Sequence, residues 1–185
     1  RVMAQDSNRV AASAVTDIPV ASEARDQLNP AAAYSTGSAR YLVAWEEVVS
    51  DYDRQLFARL IDRNGTPSAN KIGVATTGQD ERNPALAFNS QDDQFLVVYE
   101  HDVYDPNDDT HVGYDIYARR VAASGALAGS LIVVSDLGHS DLNPDVAYNA
   151  QNNEYLVVWV YREWIKGQRL SNSGALLGNA FDITD

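Results

Sequence analysis

Cysteine is absent from the 185 residues, which excludes disulfides, thiolate zinc sites and cysteine nucleophiles together. Its absence does not fix the compartment, because exported proteins also manage without disulfides. Basic residues are few: 14 Lys and Arg stand against 26 Asp and Glu, for a net charge of −12. A surface of that sign repels phosphate backbones and anionic membranes and attracts cations, so no nucleic-acid partner is expected. No apolar run approaches the roughly 20 residues that a helical bilayer crossing takes, so no membrane insertion is expected. Helical periodicity is scarce too; Glu23 to Leu28 is too short and too polar to be more than a turn. The sequence opens Arg1-Val2-Met3 without a charged-then-apolar leader, as expected of a processed or partial chain.

What is present repeats. Asn29-Pro30-Ala31-Ala32-Ala33-Tyr34 returns as Asn83-Pro84-Ala85-Leu86-Ala87-Phe88 and as Asn143-Pro144-Asp145-Val146-Ala147-Tyr148. A short polar turn follows each copy, then an apolar run ending in an aromatic: Tyr41 to Trp45, Phe95 to Tyr99, Tyr155 to Trp159. A third run carries Arg59, Arg119 or Arg169 among apolar neighbours. A glycine turn at Gly65, Gly125 or Gly174 precedes a fourth run, which begins seven residues on at Ile72, Ile132 or Phe181. Only the link between the second and third runs varies in length. A fixed scaffold with one elastic connection is how a structural repeat tolerates insertion.

The runs are short, rich in Val, Ile and aromatics, and bounded by Gly, Pro, Asn and Asp, which predicts strands. Asn64-Gly65 is a hairpin-turn signal. Four antiparallel strands per repeat, A to D in chain order, match a blade of a β-propeller. The continuous apolar B strand is expected to be buried on both faces between neighbouring blades. Residues 1–28 read as the outer strands of a further blade plus a link, with Ala14 to Val20 as its D strand. Residues 29–82, 83–142 and 143–185 are the three complete repeats. The expected fold is therefore all-β, three propeller-type blades and an N-terminal half blade, too few to close a ring of about four to eight. A longer parent chain, several chains closing one ring, and an open stack of units all remain compatible with that count.

The phrase Asn-Pro-x-x-Ala-Tyr, then Tyr-Leu-Val-Val-Trp, then Ile-Tyr-Ala-Arg-Arg-Val-x-x-x-Gly resembles tandem repeats of large secreted bacterial proteins. Those repeats are similar to propeller blades and occur in surface and adhesin-like polypeptides, some with calcium-binding segments. The resemblance covers nearly all of residues 29 to 185. It implies a secreted or surface-exposed location and an adhesive or structural role, and it attaches no catalytic residues.

Candidate sites gather in the elastic connections. In the second repeat Asp102, Asp105, Asn107 and Asp109 offer hard oxygen ligands at close spacing, which suits calcium better than a transition metal. The competing reading is a loop that is polar because it is solvated. Repeat 1 places Glu46, Glu47, Asp51 and Asp53 at the equivalent position. His101 and His111 stand among these acids and read first as exposed loop histidines. His139, Ser140 and Asp141 adjoin in sequence, which does not make a triad. Tyr52, Tyr104, Tyr114 and Trp164 lie in or near the elastic links and are candidate contacts for a glycan or protein ligand, with loop anchoring as the alternative. The recurring Tyr34, Trp45, Phe88, Tyr99, Tyr148 and Trp159 are expected to pack between blades. Two functions compete. One is an extracellular binding, adhesion or assembly module that associates with itself or with further repeats. The other is a glycan-processing enzyme on a propeller, which needs two acids about 5 to 10 Å apart in a central funnel.

Overall fold

The computed structural model describes residues 19–21, 24–105, 110–136 and 138–184. The expected D strand at Ala14 to Val20 therefore lies largely outside the described residues. Twelve strands make three separate sheets, each of four antiparallel strands in chain order. The first holds β1 (Gln27–Ser35), β2 (Arg40–Ser50), β3 (Asp53–Asp62) and β4 (Ile72–Ala75). The second holds β5 (Glu81–Asn89), β6 (Gln94–Asp105), β7 (Thr110–Ala122) and β8 (Leu127–Val133). The third holds β9 (Asp141–Asn149), β10 (Glu154–Tyr161), β11 (Trp164–Ser171) and β12 (Leu176–Asp182). The described residues contain no helix, and the three sheets do not close into a barrel.

Burial explains why the B strands do not alternate. In β6, Phe95, Val97 and Tyr99 pack on Leu42, Ala44, Leu56, Ala58 and Leu60 of the first sheet. Leu96 and Val98 point the other way, against Tyr155, Val157, Trp159 and Leu170 of the third. A strand sandwiched between two neighbours needs apolar side chains at every position. Each large side chain fully buried in this way contributes about 1.5–3 kcal/mol.

The ends of the stack show the same positions uncovered. Phe95 and Tyr155 are 0% exposed, whereas their counterpart Tyr41 is 44% exposed on the outer face of the first sheet. Leu42 and Leu96 are 0% exposed, whereas Leu156 is 36% exposed on the outer face of the third. Tyr34, expected between blades, is likewise exposed on the first outer face.

Two local signatures recur three times. The turns between C and D strands close with Gly65, Gly125 and Gly174, whose φ values of 86°, 92° and 87° favour glycine. Their amides donate to Asp62, Ala122 and Ser171 carbonyls. Each A strand carries a bulge at its Asn-Pro pair, where the register with the B strand shifts. Proline cannot donate to a ladder, and Asn29, Asn83 and Asn143 adopt φ of 47°, 51° and 52°, which asparagine tolerates better than most residues. The bulge interrupts the ladder, which resumes beyond it, and places the three asparagines around one depression.

Candidate functional site at the axial mouth

The end of each B strand, the start of C, the end of D and the start of A all lie at one rim. Strand β5 contacts both β1 and β9, so the A strands are innermost. At this rim Asn29, Asn83, Asn143 and their prolines Pro30, Pro84 and Pro144 line one open depression of about 320 Å³.

Behind the amides stand two carboxylates. Glu46 Oε1 accepts the side-chain amide of Asn29 at 2.6 Å and the backbone N–H of Asn83, in the next blade, at 2.7 Å. Glu100 repeats the arrangement: its Oε1 accepts Asn83 Nδ2 and the Asn143 N–H, each at 2.7 Å. Arg82 Nε donates to the other oxygen of Glu100 at 2.7 Å. Asn29 Nδ2 also reaches Asn83 Oδ1 at 3.2 Å, so the mouth is edged by linked amides. Both glutamates are 0% exposed. Leu28 stands where the second blade has Arg82, and Glu46 Oε2 is buried without a hydrogen-bond partner. The third blade has Val160 at the glutamate position, so the series of latches ends there.

The expected variable loop of the second repeat is instead a long hairpin, because β6 and β7 stay paired as far as Asp105 and Thr110. His101 is thus a strand residue, stacked on Tyr117 with ring centroids 4.2 Å apart and 3.4 Å from Glu81. Asp102 pairs with His111. Asn107 and Asp109, and the side chain of Asp105, lie outside the described residues. In the first repeat the acids do not form an open group. Glu47 is buried and takes Arg25 at 3.1 Å and Lys71 at 2.5 Å, while Glu46 faces the axis. Among the described residues no three Asp, Glu or His side chains are placed to hold a metal ion.

The candidate contact aromatics separate by exposure. Tyr52 is 87% exposed, and Tyr104 and Trp164 are 39% and 38% exposed. Tyr114 is an anchor: its hydroxyl donates to Asp80 at 2.9 Å and the Arg82 guanidinium lies 3.6 Å over its ring. Burial, then the bond to Asp80, push its phenol up to about 12. The arginines of the C strands behave individually. Arg169 pairs with Glu154 at 2.6 Å, Arg59 donates to the Val20 carbonyl at 2.7 Å, and Arg119 Nε is buried without a partner.

Asp141 opens the third blade. It is 0% exposed and accepts Trp159 Nε1 at 2.9 Å and the Ser135 hydroxyl. Burial raises its carboxyl above the ordinary range despite both donors. Asp115, across the blade junction, is 6% exposed, and burial, then the charges of Asp136 and Asp141, push its carboxyl to about 6 from 3.8. The folded protein therefore binds this proton more tightly than the unfolded chain. The resulting stabilisation is fully present below pH 3.8 and is lost as pH rises through 6. Its size is on the order of 1–3 kcal/mol, the lower figure allowing for solvent screening. Urea unfolding at pH 4.5 and 7 should show Asp115→Asn removing that part of the pH dependence. Parallel profiles for wild type and variant would contradict the assignment.

No protein-family profile matches the sequence, and no curated protein matches it. Solved structures do match the fold. An endo-arabinase from Bacteroides thetaiotaomicron superposes with a TM-score of 0.56 at 10% identity, over 84% of this chain and 61% of that one. An α-L-arabinofuranosidase from Lactobacillus brevis gives 0.52 at 9% identity, over 82% of this chain and 55% of that one. The glycoside hydrolase family 43 YxiA protein from Bacillus licheniformis gives 0.50 at 8% identity, over 87% and 46%. The chain thus spans less than two thirds of each of these proteins. At such identities the likeness concerns the fold: this is an all-β protein of the β-propeller type, built as the glycosidase propellers are.

Proposed function

We propose that the chain is part of a glycan-processing propeller and that the axial mouth is where it meets saccharide. One observation carries the reading: three asparagines, two of them held from behind by Glu46 and Glu100, line the axial depression of a fold shared with an endo-arabinase and an arabinofuranosidase. Amides offer donors and acceptors at fixed angles, which suits sugar hydroxyls. Glycoside hydrolysis needs two carboxyl groups about 5 to 10 Å apart. Glu46 and Glu100 are the carboxylates these blades set behind the mouth, and Oε2 of Glu46 is buried without a hydrogen-bond partner. An extracellular location suits a polysaccharide substrate. The exposed outer faces around Tyr41 and Leu156 are surfaces on which further blades of the same repeat would seat, because the same positions are covered between the blades described.

A second reading, recognition of a glycan without cleavage in a surface-exposed binding protein, is favoured by the full burial of both glutamates and their engagement as inter-blade ties. The two separate in one experiment. The protein is offered arabinan, xylan, galactan and β-glucan, and both retention and release of reducing ends are measured. The processing reading expects release that Glu46→Gln or Glu100→Gln abolishes with the melting temperature within a few degrees of wild type. Glutamine keeps the acceptor for the neighbouring N–H, so the fold should survive. Retention without release favours recognition alone, and neither retention nor release removes the glycan reading.

A further inference from the structure

A second feature opens on the same rim, away from the axis. Between the second and third blades a cavity of about 130 Å³ is lined by Val103, Val112, Asp115, Asp136 and His139, among others. Its hairpin wall is packed tightly on the link that enters the third blade. Gly113, at φ 154°, leaves space where a Cβ would sit 2.9 Å from Ser140 Oγ and 3.1 Å from its amide nitrogen.

Asp115 is the chemically unusual member. The residue is 6% exposed, and burial and the charges of Asp136, Asp141 and His101 act on its carboxyl with no hydrogen bond among the described residues. Buried carboxylates are ordinarily held by donors, as Asp141 is by Trp159 and Ser135. Among the described residues that line the cavity, none is hydrogen-bonded to the Asp115 carboxylate. The described residues do not assemble three ligands for a metal ion there. Neutral hydroxyls are the chemistry that fits: they donate to the carboxylate without requiring a full coordination shell.

His139, in the wall of the cavity, is the first member of an aromatic row. His139 lies 6.1 Å from Tyr161, and Tyr161 is stacked 6.5 Å from Trp164 at the turn of the third blade. Arg162 lies 5.5 Å over Tyr161 and also contacts His139, which fixes the row in place. Trp164 is 38% exposed. An acceptor in a small apolar-walled pocket beside an exposed aromatic platform provides both elements that hold a sugar, hydroxyls at its edge and C–H groups on its face.

We propose that this cavity is a secondary saccharide subsite, in which Asp115 accepts hydrogen bonds from sugar hydroxyls and the His139–Tyr161–Trp164 row carries the adjoining residue of the chain. The inference rests on the glycan reading of the axial mouth and locates a second contact on the same face. Its small volume admits the hydroxyl-bearing edge of one sugar ring, so it takes a chain end or a branch.

Calorimetric titration with arabino-, xylo-, galacto- and gluco-oligosaccharides tests it on the wild type, Asp115→Asn and Trp164→Ala. For an oligosaccharide that the wild type binds, each variant is expected to weaken affinity about tenfold or more, since a hydrogen bond to a charged group or a stacked aromatic is of that size. Trp164 is at the surface, so its variant stays informative if Asp115→Asn folds poorly. Wild-type binding that both variants retain unchanged would overturn the subsite and leave the axial reading standing. No binding to any of the four series would overturn both. Binding that appears only with added calcium and vanishes with chelator would also overturn the hydroxyl assignment.

Discussion

Glu100→Ala is expected to lower the unfolding free energy by about 3–5 kcal/mol, the range for removing one partner of a buried ion pair. Glu100 is 0% exposed, and its two oxygens take Arg82, the Asn83 side chain and the Asn143 backbone N–H. Removing it takes the nearest carboxylate from Arg82, which keeps Asp80 at 3.9 Å and the Tyr114 ring, and leaves the Asn83 amide and the Asn143 N–H without their buried acceptor. The effect should exceed that of Glu46→Ala, because Glu46 Oε2 has no partner to lose and no arginine stands at Leu28. Glu100→Gln should cost much less, since it keeps the acceptor that ties the second blade to the third. Chemical denaturation of the three variants checks the order. Equal losses for Glu46→Ala and Glu100→Ala would show that the arginine contact contributes nothing.

Trp159→Ala is expected to cost about 3–5 kcal/mol, as large-to-small changes in a packed core do. Trp159 is 1% exposed and sits in the cluster joining the second and third blades. Its indole N–H also satisfies Asp141, so Trp159→Phe should still cost about 1–3 kcal/mol by leaving that carboxylate short of a donor. Trp45 provides the control within the same chain. It is 3% exposed at the equivalent position of the first blade, but its Nε1 has no partner, so Trp45→Phe should be the milder change. Thermal melts of the two phenylalanine variants compare them directly; a larger loss for Trp45→Phe would contradict the assignment of the Asp141 bond.

The scaffold was legible in the sequence because it is repeated. Strand order, the doubly buried B strand and the glycine turns each follow from local chemistry that recurs in register, and Gly65, Gly125 and Gly174 behave alike. Phe95 against Leu96 shows why the apolar run does not alternate: each faces a different neighbouring sheet. The site was less legible. Glu46 reads as a member of an acidic variable link and Glu100 stands at the start of the next one, whereas their partners Asn83 and Asn143 lie 37 and 43 residues downstream in the next blade. A contact between repeats carries no local signal. One clue was available: each glutamate directly follows the aromatic that closes its B strand, as Trp45-Glu46 and Tyr99-Glu100, and each asparagine opens the repeated phrase. Tyr114 is a case where the sequence left two readings open, ligand contact and loop anchoring. Its position in a hairpin does not decide between them, because Asp80 and Arg82, which occupy its hydroxyl and its face, come from the start of the A strand some 30 residues upstream.

The most direct measurement is a titration of isotope-labelled protein with the best-retained oligosaccharide, followed through the side-chain amide resonances of Asn29, Asn83 and Asn143. Saturable shifts at these three amides, with Asn143 free to respond most because no glutamate holds it, are the expected result. Shifts confined to other surfaces, with the three amides unmoved at saturation, would contradict the assignment of the axial mouth as the glycan site.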